Sequence, residues 1–99
     1  MSKVINMQVR SERGDVLARA SCGLPWFEML ASVDRSEFPM LGGLDPYGDA
    51  IFNGRQVPML LEELERLPDE RRAEWVEEVH ALCVTVLKAP HRYLWFIGD

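Results

Sequence analysis

The sequence has little cysteine and no long apolar run. Cys22 and Cys83 are its two cysteines, and they do not form a CxxC pair. A disulfide framework is therefore not expected, and this usage fits a reduced cytoplasm. No run approaches the roughly 18 apolar residues of a membrane span. The first segment contains Asn6, Gln8 and Arg10, which interrupt the apolar core that a signal peptide needs. We therefore expect a cytoplasmic protein.

Basic residues are also scarce. Eleven Lys and Arg compare with 16 Asp and Glu, so the formal net charge is -5. Nucleic-acid binding needs a concentrated basic face, whereas the pair Arg71-Arg72 lies among acidic residues. The same charge argues against an anionic membrane surface. An acidic chain is better suited to a basic protein partner.

Motifs for catalysis or metal binding are missing as well. No phosphate-binding glycine pattern, serine elbow or HExxH helix occurs. Cys22 precedes a predicted helix N-terminus, a position that lowers the pKa of a thiol. Nucleophilic catalysis also needs a base, and His80 and His91 have no motif context. Two lone histidines do not make a zinc site. The sequence therefore predicts neither an enzyme nor a cofactor.

The residues that are present indicate one globular domain, residues 1–99. The hydrophobic fraction is 47% and the charged fraction 27%, as in ordinary globular proteins. Ile5, Met7 and Val9 alternate with polar residues, which is the period of a half-buried strand. A turn at 11–15 and an apolar segment at 16–20 complete a predicted hairpin.

The first long helix is predicted after residue 53. Asn53 and Gln56 have the spacing of a capping box, in which each side chain bonds the backbone of the other residue. Pro58 places the helix start near residues 56–57. The apolar side chains recur at the spacing of one helix face; they are Val57, Leu60, Leu61, Leu64 and Leu67.

A second long helix is predicted from an Asp69 cap to about Lys88, before Pro90. The connection between the two helices is short, so we expect them to pack antiparallel. A third, short helix is predicted from Pro25 to about Ser32.

The last predicted strand covers 91–97 and contains five consecutive apolar residues, 93–97. Both of its faces are apolar, which predicts a central strand covered on both sides. Residues 50–52 are long enough for a short strand. We therefore expect an α+β fold: a small, mostly antiparallel sheet with two antiparallel helices on one face. The other face needs the short helix or a second molecule.

The segment 45–49 has the strongest turn chemistry in the chain, with Asp45, Pro46, Tyr47, Gly48 and Asp49 in succession. A divalent metal ion takes about six or more oxygen ligands, and two acids are too few. The segment is therefore interpreted as a tight turn. It also has the composition of an exposed recognition loop, in which Asp45, Tyr47 and Asp49 face a partner.

Acidic residues are concentrated along both long helices. They form either a solvated surface or a docking surface for a basic partner. The residues predicted to contact a partner are Asp45, Tyr47, Asp49, Glu63, Glu70 and Glu74.

The DPYGD turn at 45–49, the following Phe52-Asn53 and Gln56, and the terminal YLWFIGD at 93–99 resemble a group of small, uncharacterised bacterial proteins. Position 50 of that group is more usually Thr, so Ala50 lacks a hydroxyl that could serve the turn. The resemblance implies no activity. By general type, compact acidic bacterial proteins of this size include toxin inhibitors and immunity proteins.

The sequence therefore favours a non-enzymatic protein-binding module, such as an immunity-type inhibitor or a small complex subunit with a basic partner. A homo-oligomer that uses an uncovered sheet face, in the simplest case a homodimer, is the alternative. A metal-dependent enzyme built on Asp45 and Asp49 is the third hypothesis.

Overall fold

The structure is a computed structural model that describes residues 4–98. It has an α+β fold, as predicted. The strands are β1 (Asn6–Ser11), β2 (Val16–Arg19), β3 (Asp49–Phe52) and β4 (Arg92–Ile97), and the helices are α1 (Trp26–Met29), α2 (Val57–Arg66) and α3 (Glu74–Leu87). Over these residues, no helix has the length and apolar content that a membrane crossing requires.

The four strands form one antiparallel sheet in the order β2-β1-β4-β3. β1 and β2 form the predicted hairpin, and Gly14 supplies the positive φ of its turn. β4 pairs with β1 from Asn6 to Ser11 and with β3 from Asp49 to Phe52. β4 is therefore the central strand that its apolar sequence predicted, and β3 is an edge strand.

One face of the sheet, the inner face, supports the core. Met7, Val9, Leu94 and Phe96 point to this side and are buried, because alternate residues of a strand point to opposite faces. α2 and α3 pack against each other over the inner face and contribute most of the remaining core; their fully buried residues include Val57, Leu60, Trp75, Val79 and Cys83.

No helix of the described chain covers the outer face of the sheet, so the prediction that the short helix covers it is wrong, and cover by a second molecule stays a prediction. Tyr93, Trp95 and Ile97 of β4 point to this side and are half-buried. The Arg10 guanidinium lies 4.3 Å from the centre of the Trp95 ring and also donates to Gln8 Oε1 at 3.0 Å. Side chains of the neighbouring strand therefore shield part of this apolar surface.

The start of α2 agrees with the prediction. The Gln56 N–H donates to Asn53 Oδ1 at 3.0 Å, and the Asn53 N–H donates to Gln56 Oε1 at 2.9 Å. This reciprocal pair is the predicted capping box. It closes the turn that leads into the helix at Val57.

The start of α3 was predicted wrongly. Asp69 belongs to a separate 3-10 turn, Asp69–Arg71, and Ala73 is extended at φ -155° and ψ -170°, so the helix begins at Glu74. The Arg72 guanidinium stabilises the interruption, since it bonds backbone carbonyls at the end of α2. Its nitrogens donate to the carbonyls of Leu64, Glu65 and Leu67.

Candidate functional site

The 45–49 segment forms the tight turn that its composition predicted. The Tyr47 N–H donates to Asp45 Oδ1 at 2.8 Å, and the Gly48 N–H donates to the Asp45 carbonyl at 3.2 Å. The side chain of Asp45 thus replaces a backbone acceptor within the turn. Asp49 begins β3 directly afterwards. The turn is therefore fixed at one end by its own hydrogen bonds and at the other by the sheet.

Gly98 holds the turn from the opposite side. Its N–H donates to the Gly48 carbonyl at 2.9 Å and lies 3.2 Å from Asp49 Oδ1. A Cβ at position 98 would lie 2.6 Å from the Gly48 nitrogen, so only glycine permits this approach. The role of Gly98 was not predicted, although a glycine that directly follows an apolar strand was the available signal.

The turn, α1 and the loop between them line one groove. The groove has a volume of about 470 Å³ and is lined by Trp26, Phe27, Arg35, Gly43, Leu44, Asp45, Pro46 and Tyr47; we call it the aromatic groove. Tyr47 is 59% exposed and Phe27 is 46% exposed. The rings of Trp26 and Phe27 meet edge to face with 5.2 Å between centres. Two exposed aromatic side chains thus line one groove, and the hydrogen-bonded turn holds one of them, Tyr47.

The contribution of α1 to this groove was not predicted. The helix is a single turn that ends at Met29 rather than near Ser32. No sequence pattern indicates that Phe27 and Tyr47 line one groove, because residues 30–44, which join α1 to the turn, have no periodicity. The groove depends on the path of that loop.

The path of the loop is set by Glu63, and this corrects the prediction that Glu63 contacts a partner. Glu63 is 3% exposed. Its carboxylate accepts the Met40 N–H, with distances of 3.1 and 3.2 Å to the two oxygens, and the Leu41 N–H at 3.0 Å. A buried carboxylate requires such donors. Glu63 therefore anchors the loop to α2 and is inaccessible to another protein.

Glu70 and Glu74 are exposed as predicted, but they lie on other surfaces. Glu70 lines a second groove, of about 340 Å³, together with Arg66 and Arg71. Glu74 begins α3 and approaches Cys22. The six predicted contact residues therefore do not form one site. Asp45, Tyr47 and Asp49 share the turn and β3, whereas the two exposed glutamates lie around the α2–α3 connection.

Cys22, Glu74 and Glu78 bring three potential metal ligands within 4.8 Å of one another. The Ser21 N–H and hydroxyl both donate to Glu78 Oε1, so this carboxylate already has protein partners. Burial raises the pKa of the Cys22 thiol, and the carboxylates of Glu74 and Glu78 raise it further. This direction is opposite to the lowering of the pKa that a helix N-terminus would give, so the structure does not support activation of this thiol.

The histidines lie apart from this cluster. His80 is exposed on α3, and His91 is exposed after Pro90, 3.8 Å from the Glu12 carboxylate. Asp45 and Asp49 are the basis of the metal-enzyme hypothesis. Asp45 accepts the Tyr47 N–H within the turn, and Asp49 accepts the Gly98 N–H after β4. These groups therefore lie at separate places in the described structure, whereas the aromatic groove brings Phe27 and Tyr47 to one place.

No protein-family model, curated protein or solved structure matches this chain. The resemblance to small bacterial proteins therefore stays a prediction, and a function is inferred from the geometry above.

Proposed function

We propose that this chain is a non-enzymatic protein-binding module that holds a basic partner in the aromatic groove. The observation that carries the proposal is that Phe27 and Tyr47 are both exposed and both line one groove. Large aromatic side chains on a rigid support give binding energy at a low cost in side-chain entropy. The bonds of Asp45 and Gly98 supply that support.

Charge favours a basic partner. The net charge is -5, and Glu70 and Glu74 are among the exposed acids. Complementary charge raises the association rate and selects among partners. Arg35 and Asp45 both line the groove, so its centre is mixed rather than uniformly acidic. The acidic surface attracts the partner, and the aromatic groove holds it. An immunity-type inhibitor or a small complex subunit would use such a surface, and a cytoplasmic location is part of the proposal, since both cysteines are free thiols.

A photo-cross-linking experiment in host cells tests the proposal. A benzophenone amino acid replaces Tyr47 in one variant and Val84 in the other; Val84 is an exposed residue of α3 and is the matched control. We expect one basic protein to cross-link at position 47 and not at 84. Phe27→Ala should reduce its recovery about tenfold or more, as expected for a residue that dominates an interface. Equal capture at both positions, or none at 47, would refute the proposal.

A second candidate is a homo-oligomer that uses the outer face of the sheet. Tyr93, Trp95 and Ile97 on that face, with no helix of the described chain over them, favour it. Light scattering at micromolar concentration tests it, with Trp95→Glu as the disruptive variant. An unchanged oligomer in Trp95→Glu would exclude this face.

A further inference from the structure

The edge strand β3 has unpaired backbone groups along one side. The Gly98 N–H donates to the Gly48 carbonyl, so the C=O group of residue 48 points toward β4. In an antiparallel strand, the backbone N–H and C=O groups of successive residues point alternately toward a given neighbouring strand and away from it. Ala50 and Phe52 therefore face β4, whereas the N–H and C=O groups of Asp49 and Ile51 point away from the sheet. Among residues 4–98, no partner accepts or donates to them on that side.

The opposite edge of the sheet is less suited to pairing. The register of β2 against β1 shifts between Val9 and Arg10, which is a β-bulge. Bulges distort an edge and protect it from another strand. The ladder of β3 with β4 is regular from Asp49 to Phe52. β3 is therefore the edge that can accept a strand.

Apolar side chains lie on both sides of the β3 edge. Ile51, on the outer side, is 47% exposed, and Met59, on the first turn of α2, is 57% exposed. A groove of about 410 Å³ follows the inner side; it is lined by Pro39, Met40, Gly43, Leu44, Ala50, Phe52, Gln56 and Met59. None of these lining residues is charged. A strand added here would bury apolar surface above and below its backbone.

The charges that flank β3 identify the strand that fits. Asp49 lies at its start and Arg55 lies just beyond its end, with Ala50-Ile51-Phe52 between them. Both are exposed. An antiparallel copy of β3 brings the Asp49 end of each strand toward the Arg55 end of the other, so the favourable contact occurs twice. A parallel copy would place like charges together.

We propose that a second copy of this chain pairs antiparallel with β3, edge to edge, and forms a continuous eight-stranded sheet. The two Met59 side chains and the two inner grooves then adjoin across the two-fold axis. The inner groove shares Gly43 and Leu44 with the aromatic groove, but Phe27 and Tyr47 do not line it. The dimer goes beyond the binding function proposed above, and its argument does not depend on that function. It also differs from an oligomer through the outer face, because it uses backbone groups of the edge.

Sedimentation equilibrium from micromolar to millimolar concentration tests the dimer. The expected mass rises from 11.4 kDa to twice that value. Arg55→Glu leaves only acidic groups in both flanking contacts, and we expect the dimer dissociation constant to rise about tenfold or more. Arg19→Glu makes the same charge change on the opposite edge and should leave the constant unchanged. Asp49→Lys with Arg55→Glu exchanges the charges and should restore the dimer.

A backbone test identifies the edge directly. The N–H of Ile51 points away from β4, so Ile51→Pro removes a donor of the dimer and no bond of the monomer. Amide hydrogen exchange of Asp49 and Ile51 in the unmodified chain should slow as concentration rises. If Ile51→Pro does not fold, two other results decide whether β3 is the dimer edge. These are the mass of the Asp49→Lys with Arg55→Glu variant and the amide hydrogen exchange rates of the unmodified chain.

Three results would overturn the dimer proposal. These are a monomer at every concentration, a dimer unaffected by Arg55→Glu, and amide exchange at Ile51 that is independent of concentration. A dimer lost in Trp95→Glu but retained in Arg55→Glu assigns association to the outer face instead. Cross-linking at position 47 is read separately, so the two proposals fail independently.

Discussion

The Leu41 N–H and the Glu63 carboxylate form a buried hydrogen bond of 3.0 Å that joins the loop after α1 to the middle of α2. The neighbouring Met40 N–H reaches the same carboxylate. The Glu63 side chain thus satisfies two adjacent backbone donors that are remote from it in sequence. It thereby positions the loop that leads to the aromatic groove.

Glu63→Ala should destabilise the fold by about 3 kcal/mol, because two N–H groups lose a charged acceptor in a buried place. Glu63→Gln keeps a carbonyl acceptor and should cost about half as much. Glu62→Ala changes an exposed acid on the same helix and is the control, with an effect within about 0.5 kcal/mol. Urea unfolding gives the three values. A Glu63→Ala protein as stable as the unmodified chain would contradict the anchoring role.

The capping box predicts coupled effects of Asn53 and Gln56. Asn53→Ala removes the acceptor for the Arg55 and Gln56 N–H groups and should cost about 1 kcal/mol. Gln56→Ala removes a single bond and should cost less. Because each residue bonds the other, the double variant should lose less stability than the sum of the single variants. A double-mutant cycle by thermal unfolding measures this difference, and strict additivity would exclude the reciprocal arrangement.

Gly98→Ala should be among the most damaging single-methyl substitutions in this chain. The added Cβ would lie 2.6 Å from the Gly48 nitrogen and 2.8 Å from the Pro46 carbonyl carbon. Backbone cannot yield as a flexible side chain does, so we expect a loss of about 3 kcal/mol. Gly54→Ala is the matched control, since, apart from its two chain neighbours, no described residue has an atom within 4 Å of the position that its methyl group would take. Circular dichroism during heating compares the two, and equal melting temperatures would contradict the close contact.

The two thiols should differ in accessibility but share low reactivity. Burial raises the pKa of the Cys83 thiol to about 12. Burial and the carboxylates of Glu74 and Glu78 raise the pKa of Cys22. With Ellman's reagent at neutral pH, we expect Cys22 to react more slowly than a free thiol and Cys83 to react only after unfolding. Cys22→Ser assigns the slow phase. Rapid reaction of two thiols in the folded protein would contradict this.

The raised pKa of the Cys83 thiol predicts that the free energy of unfolding depends on pH. A thiol whose pKa is raised by folding contributes its stability below the unfolded pKa, about 8.5, and loses it as the pH rises toward the folded value. The free energy of unfolding should therefore fall from about pH 8.5 toward pH 12. Cys83→Val should reduce this fall, because valine does not titrate. Urea unfolding at successive pH values makes the comparison.

The sequence patterns identified the elements whose periodicity is local. The alternation at Ile5, Met7 and Val9 and the apolar run 93–97 predicted two of the strands, and Asn53 with Gln56 predicted the start of α2. These succeed because the pattern and the structure share one period. The turn residues at 11–15, which include Gly14, predicted the hairpin of β1 and β2.

Long-range contacts explain what the patterns did not show. Arg72 bonds the end of α2 where the predicted helix is interrupted, and no local pattern indicates that its guanidinium reaches those carbonyls. Glu63 lies three residues after Leu60 and four before Leu67, so its position beside the apolar face was a usable signal of burial. Because Glu63 is acidic, it was predicted to lie on the solvent-exposed surface. The aromatic groove joins residues of two segments with no shared period.

The central position of β4 has a consequence for the order of folding. β4 follows the other three strands in sequence, yet β1 and β3 meet only through it. Until it is in place, β3 has no partner on either side and the hairpin stands alone, and a lone hairpin is marginally stable in water. The sheet must therefore close through contacts between remote parts of the chain, which slows folding. The pairing of all four strands should therefore form in one cooperative step.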